Sequence, residues 1–143
     1  MKYRFTIPND PKKNHLPHNV RMPSLNDFIH AERQRTPKGF TKGAVMKKEW
    51  QKYVFSCIRK QLRVRITKPI CVHYYYFEHD RKRDIGNVHA FCQKVVEDAM
   101  QDCRLIPNDN QYYIPKFTAD FYIDPINPRI EVVLEELDYG TKI

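Results

Sequence analysis

Glycine is scarce, with four among 143 residues, and nowhere does the chain carry a long run of apolar side chains. So little glycine excludes collagen-like and low-complexity classes. The longest apolar stretches, such as residues 132–134, fall far short of the roughly 20 residues needed to span a bilayer, so no membrane partner is expected. The first fifteen residues hold Lys2, Arg4, Asp10, Lys12 and Lys13 with no apolar run behind a basic head, so no secretory signal is expected and a cytoplasmic location follows. Cysteine is also sparse: Cys57, Cys71, Cys92 and Cys103 stand 14, 21 and 11 positions apart with no CxxC, which points to free thiols in a reducing compartment. There is no Walker loop, no GxSxG elbow and no GxGxxG, so nucleotide hydrolysis and serine chemistry find no support.

What the chain has in excess is positive charge, 25 Lys and Arg against 17 Asp and Glu, net +8 with a pI near 9.4. The charge is segregated. Residues 1–68 hold 17 basic and 4 acidic side chains, net +13, and residues 69–143 hold 8 and 13, net −5. Solubility alone needs no such separation; a strongly basic half attracts polyanions by its long-range field and by counterion release, and nucleic acid is the polyanion it best suits.

With 41% hydrophobic and 29% charged residues the composition is globular, and the length suits a single domain over residues 1–143. Alternation at residues 2–7, with Tyr3, Phe5 and Ile7 on one face, predicts an opening strand. Four prolines between residues 8 and 23 predict a long surface loop. Ser24 and Asp27 have capping-box spacing before a short helix carrying Leu25, Phe28 and Ile29. Residues 44–63 carry Met46, Trp50, Tyr53, Val54, Cys57, Ile58 and Leu62 at helical spacing. Residues 69–79 read as a central strand rich in aromatic and β-branched side chains. A charged turn, Glu78-His-Asp-Arg-Lys-Arg-Asp84, then leads into a second amphipathic helix starting near Asn87, with Val88, Phe91, Cys92, Val95, Val96, Ala99 and Cys103 as its apolar stripe. A strand pattern at residues 112–123, interrupted by Pro115, a turn at 124–128 joining it to a strand at 129–134, and a frayed tail at 137–143 complete the chain. The expected fold class is α/β (α+β), a mixed sheet of about four strands packed against helices.

Four acids cluster around the second long helix: Asp80 and Asp84 before it, Asp98 within it and Asp109 after it. Hard divalent cations take carboxylate oxygens from neighbouring elements, and phosphodiester hydrolysis uses such ions. Asn87, Lys94 and Asp98 share one helical face. The alternatives are structural: Asp84 capping the helix, Asp98 pairing with Lys94 four residues earlier, Asp109 serving a turn. Cys71, His73, His89 and Cys92 offer a Cys₂His₂ set, but on a strand and a helix rather than on the tight loops of structural zinc sites.

Read in order, Met22-Pro-Ser-Leu-Asn-Asp-Phe-Ile29, Arg83-Asp-Ile-Gly-Asn87, Lys94-Val-Val-Glu-Asp-Ala99, Ile106-Pro-Asn-Asp-Asn110 and Asn127-Pro-Arg-Ile-Glu-Val-Val133 resemble the RusA family of Holliday-junction resolvases. The resemblance spans nearly the whole chain. It implies a small homodimeric, Mg²⁺-dependent endodeoxyribonuclease, with Mn²⁺ as a substitute ion, that resolves four-way DNA junctions by paired nicks and is common in phages. It further implies that Asp84 and Asp109 are metal ligands and Lys94 the functional lysine, with Asn87 matching the motif's asparagine and Asp98 a supporting acid. One departure stands out: Gly86 occupies the place of a second motif aspartate, so Asp80 or Glu78 compensates, or the metal is held by fewer carboxylates and more water, or the chain binds branched DNA without cutting it. Candidate DNA contacts are Lys12, Lys13, Arg21, Arg33, Arg35, Lys38, Lys42, Lys47, Lys48, Arg81, Lys82 and Arg83.

Overall fold

The structure is a computed structural model and describes residues 1–13 and 15–138. Strand β1 (Lys2–Pro8) is followed by a 3₁₀ turn at Pro17–Asn19, helices α1 (Leu25–Glu32) and α2 (Lys42–Gln61), strand β2 (Ile70–Glu78), helix α3 (Ile85–Asp102) and strands β3 (Lys116–Ile123) and β4 (Arg129–Glu136). This is the order of strands and helices expected from the sequence. Among the described residues no helix is long and apolar enough to cross a membrane.

The four strands form one mixed sheet in the order β1-β4-β2-β3. β4 pairs antiparallel with both β1 and β2, whereas β3 runs parallel to β2. A parallel neighbour requires a crossover, and α3 supplies it. The turn at 124–128 therefore does not make a hairpin: it bridges the end of β2, with Asp124 N–H donating to the Glu78 carbonyl at 2.8 Å, and β4 lands on the far side of β2.

Alternation explains which face is covered. Along β2, Val72, Tyr74 and Tyr76 are buried while His73, Tyr75 and Phe77 are half-buried, and the buried set meets Phe5, Ile7, Ile130, Val132 and Leu134 from the neighbouring strands in the core cluster. Trp50, Val54 and Ile58 of α2 and Val88, Cys92, Val95 and Val96 of α3 close that cluster from above. The opposite sheet face carries polar pairs, among them His73 with Glu135 at 2.9 Å and Arg129 with Glu131 at 2.7 Å.

Two expectations need correction. The segment after β1 is not simply a surface loop: Asn9, Leu16, Met22 and Pro23 are buried, and the Asn9 side-chain oxygen accepts the Met22 N–H at 2.6 Å. A fixed side-chain acceptor, rather than strand pairing, orders this proline-rich stretch. Leu137, expected in a frayed tail, is held in place, since its N–H bonds the Pro69 carbonyl at 2.8 Å. Residues 139–143 of that predicted tail lie outside the described residues.

Candidate functional site

The carboxyl ends of β1, β2 and β3 and the N-terminus of α3 meet at one end of the sheet, where open α/β sheets commonly seat ligands. Asp84 caps α3 there: one side-chain oxygen accepts N–H groups from Gly86 at 2.9 Å and Asn87 at 3.4 Å. The helix begins at Ile85, two residues before the start expected at Asn87, because this cap satisfies its first donors. Asp80 accepts Lys82 N–H at 2.9 Å, and that bond, His79 and the charges of Arg21 and Lys82 hold its carboxyl below the usual range.

Glu78 and Arg83 occupy the centre of this end. Their side chains are about 8% and 12% exposed and form a bidentate pair at 3.1 and 3.0 Å, and Arg83 also donates to the Met22 carbonyl at 2.7 Å. Arg83, a candidate DNA contact from sequence, is thus turned inward to fix the loop after β1. Glu78, a candidate replacement ligand for the missing acid at position 86, has both oxygens engaged by Arg83. A cleft of about 460 Å³ beside the pair is lined by Asp80, Arg81, Ile85 and Phe121 among others.

A second cluster lies further along α3. Lys94 and Lys47 both bond Asp98, at 3.3 and 3.1 Å, so Asp98 joins α2 to α3 and takes the pairing role that its spacing from Lys94 allows. The hydrogen bond to Asp98 is the main influence raising the Lys94 pKa, with Asp109 and Glu97 adding to it. Sequence patterning assigns no role to Glu97. It is more than half-buried, accepts a 2.9 Å bond from Gln93, and has its carboxyl pushed up by burial and by the charge of Asp109. The available signal was the spacing of His89, Gln93 and Glu97 at every fourth position, one stripe around from the Asn87–Lys94–Asp98 face.

Asp84 and Asp109 therefore act on different turns of α3, the first bonded to residues 86 and 87, the second felt at 94 and 97; about 10 Å of helix rise separates residue 87 from 94. Among the described residues no three His, Cys, Asp or Glu side chains gather as a metal-binding group, and Cys71, His73, His89 and Cys92 form no such set. The donors present suit a hydrated Mg²⁺, which needs only one or two carboxylates when water and phosphate oxygens complete its octahedron. They do not make a closed cage.

The basic side chains fall into two groups. Lys12, Lys13, Arg21, Arg81 and Lys82 surround the acidic end of the sheet. Arg33, Arg35, Lys38 and Lys42 sit on a tight hairpin between α1 and α2, closed by Thr36 N–H to the Phe40 carbonyl at 2.7 Å and by Arg35 to the Gly39 carbonyl at 2.8 Å. Gly39 has φ +90°, which a side chain would strain. Lys48 is exposed on α2. All four cysteines are free and buried, and burial pushes every thiol up, that of Cys92 to about 12, so none is a nucleophile at neutral pH. The sequence matches no protein-family model and no curated protein.

Proposed function

We propose that this protein is a Mg²⁺-dependent, structure-selective endodeoxyribonuclease of the RusA type, acting inside cells as a homodimer that resolves four-way DNA junctions by paired nicks. The observation that carries the reading is the placement of Asp84 and Asp80 at the end of the sheet within a shell of Lys12, Arg21, Arg81 and Lys82. Such a shell holds phosphates, while the acids create a local negative site for a cation. Asp84, with its second oxygen outside the capping bonds, and Asp80 are the residues that would hold the ion, with water completing its shell, while Asp109 stands with the Lys94 and Glu97 cluster. When bound, it would activate water and shield the charge of the scissile phosphate.

The chain's own groups supply the rest. Lys94 stays protonated through Asp98 and can offset charge that develops on the phosphate. Asp98 positions it while tying α3 to Lys47 of α2. The arrangement that a dimer needs is one such site per protomer, facing symmetrical strands of the junction.

A second reading, binding of branched DNA without cleavage, is favoured by Gly86. A Cβ built there meets one neighbour within 4 Å, Asp84 Oδ1 at 3.3 Å, so an acid at this position would stand directly beside Asp84. The test incubates the protein with a labelled four-way junction and a matched duplex, in Mg²⁺ or EDTA, beside Asp84→Asn and Gly86→Asp. The nuclease reading expects paired Mg²⁺-dependent nicks in the junction alone, absent in Asp84→Asn, with Gly86→Asp lowering the Mg²⁺ needed for half-maximal cleavage. Tight junction binding with no nicks by the wild-type protein under any divalent ion would select the binding role instead.

A further inference from the structure

A second, larger cleft, about 650 Å³, opens at the same end of the sheet, between the loop after β1 and the connection from β3 to β4. That volume lies within the range of small-ligand sites, about 300–1,000 Å³. Pro11, Val20, Pro125, Ile126 and Pro128 form the apolar part of its wall, beside polar and charged side chains that include Asn9, Lys12 and Arg21. Ile126 is 75% and Val20 47% exposed, large apolar side chains left in water within a ring that includes Lys12 and Arg21. Apolar side chains beside cations give the cleft a rim suited to a ligand with an apolar face and a negative charge.

The cleft is built by both loops together. Lys13 Nζ donates to the Ile126 carbonyl at 2.6 Å, bridging one loop to the other. Asn9, 3% exposed, accepts the Met22 N–H through its side-chain oxygen, and its amide NH₂ meets no acceptor among the described residues. The two carboxylates in the lining are both engaged: Glu78 is neutralised by Arg83, and Asp10 accepts the Lys12 N–H at 3.0 Å. Arg21 also acts on Asp80, so the cleft adjoins the acids of the candidate site.

The polar groups on offer thus include an amide donor within and cations at the mouth, beside a wall part-built from proline rings and the aliphatic side chains of Val20 and Ile126. A fitting occupant is planar, presents hydrogen-bond acceptors at one edge and carries negative charge on a short tether. We propose that this cleft receives a single unpaired nucleobase of the bound DNA, its faces against Val20 and Ile126, its acceptor edge at Asn9, and its phosphate at Lys12 and Arg21. A base held in a duplex cannot enter, because entry requires leaving the stack, which costs least where pairing is already interrupted. The cleft thereby offers a means of favouring branched over fully paired DNA. The inference rests on the DNA-binding reading above.

The experiment places 2-aminopurine, whose emission rises on unstacking, either at the branch point of a four-way junction or inside a paired arm, and follows affinity in parallel by anisotropy. Val20→Phe with Ile126→Phe fills the cleft from exposed positions that carry no part of the core. Expected are an emission rise from the branch-point probe alone on binding wild-type protein, and loss of that rise in the filled variant while junction binding persists. A junction that binds without an emission change, or a rise that survives filling, would overturn the pocket and leave DNA binding standing. No junction binding by the wild-type protein would overturn both.

Discussion

At the residue scale, the most informative side chain is one that the sequence left unremarked. Glu97 sits more than half-buried between Gln93 and the charge of Asp109, and burial holds its carboxyl above the ordinary range. The folded chain then binds this proton more tightly than the unfolded chain does. Stability contributed at this position accordingly falls as pH rises from the unfolded pKa through the folded one, and no penalty remains below the unfolded value, where both states are protonated. Glu97→Gln imitates the protonated acid and keeps a partner for Gln93. Thermal melts should show wild type and variant alike near about pH 4, and the variant more stable near about pH 7. An equal shift at both pH values would show that packing rather than ionisation sets the difference. Why the sequence hid Glu97 is plain: its character comes first from burial and then from Asp109, and both arise only when the fold packs against α3 and the chain returns after it.

At the scale of elements, α3 shows how a structural and a chemical role can share one side chain. Asp84 was legible as a helix entrance, and the structure makes it the cap, but a cap and a metal ligand draw on different properties of the carboxylate. Asparagine caps a helix about as well as aspartate, whereas alanine costs roughly 1 kcal/mol. Denaturation by urea should therefore find Asp84→Asn within a few tenths of a kcal/mol of wild type and Asp84→Ala about 1 kcal/mol less stable, with nicking lost in both. An Asp84→Asn protein as unstable as Asp84→Ala would trace the loss of activity to the helix instead. The elements themselves were readable because their signals are local: the apolar stripe of α2, the capping box at Ser24 and Asp27, the aromatic run of β2. Strand order was not, since five residues at 124–128 can close a hairpin or step across one strand. What decides is the pairing of β4 with both β1 and β2, a contact between segments more than fifty residues apart. The same holds for the loop after β1, whose order depends on Arg83 reaching the Met22 carbonyl across 61 positions.

At the scale of the molecule, the two edges of the sheet are treated differently. On β1, Gln61 of α2 reaches down to bond both the N–H and the C=O of Thr6 at 2.7 Å, satisfying backbone groups of an edge strand. On β3, no comparable bond to the outer edge occurs among the described residues, and Phe117, Tyr122 and Ile123 are 48, 49 and 38% exposed. An open edge with exposed apolar side chains is a template for another strand. For the homodimer proposed above, the self-complementary solution is β3 against β3 about a two-fold axis, which pairs the open edge and covers Phe117 and Ile123 in one step. Sedimentation velocity should then show a dimer for the wild-type protein and a monomer for Phe117→Lys with Ile123→Lys, with unchanged far-UV circular dichroism. Since paired incision needs both sites on one junction, the monomeric variant should leave single nicks where the wild type leaves two. A variant that remains dimeric would place the interface elsewhere, and one that is monomeric yet still makes paired nicks would separate resolution from dimerisation through this edge.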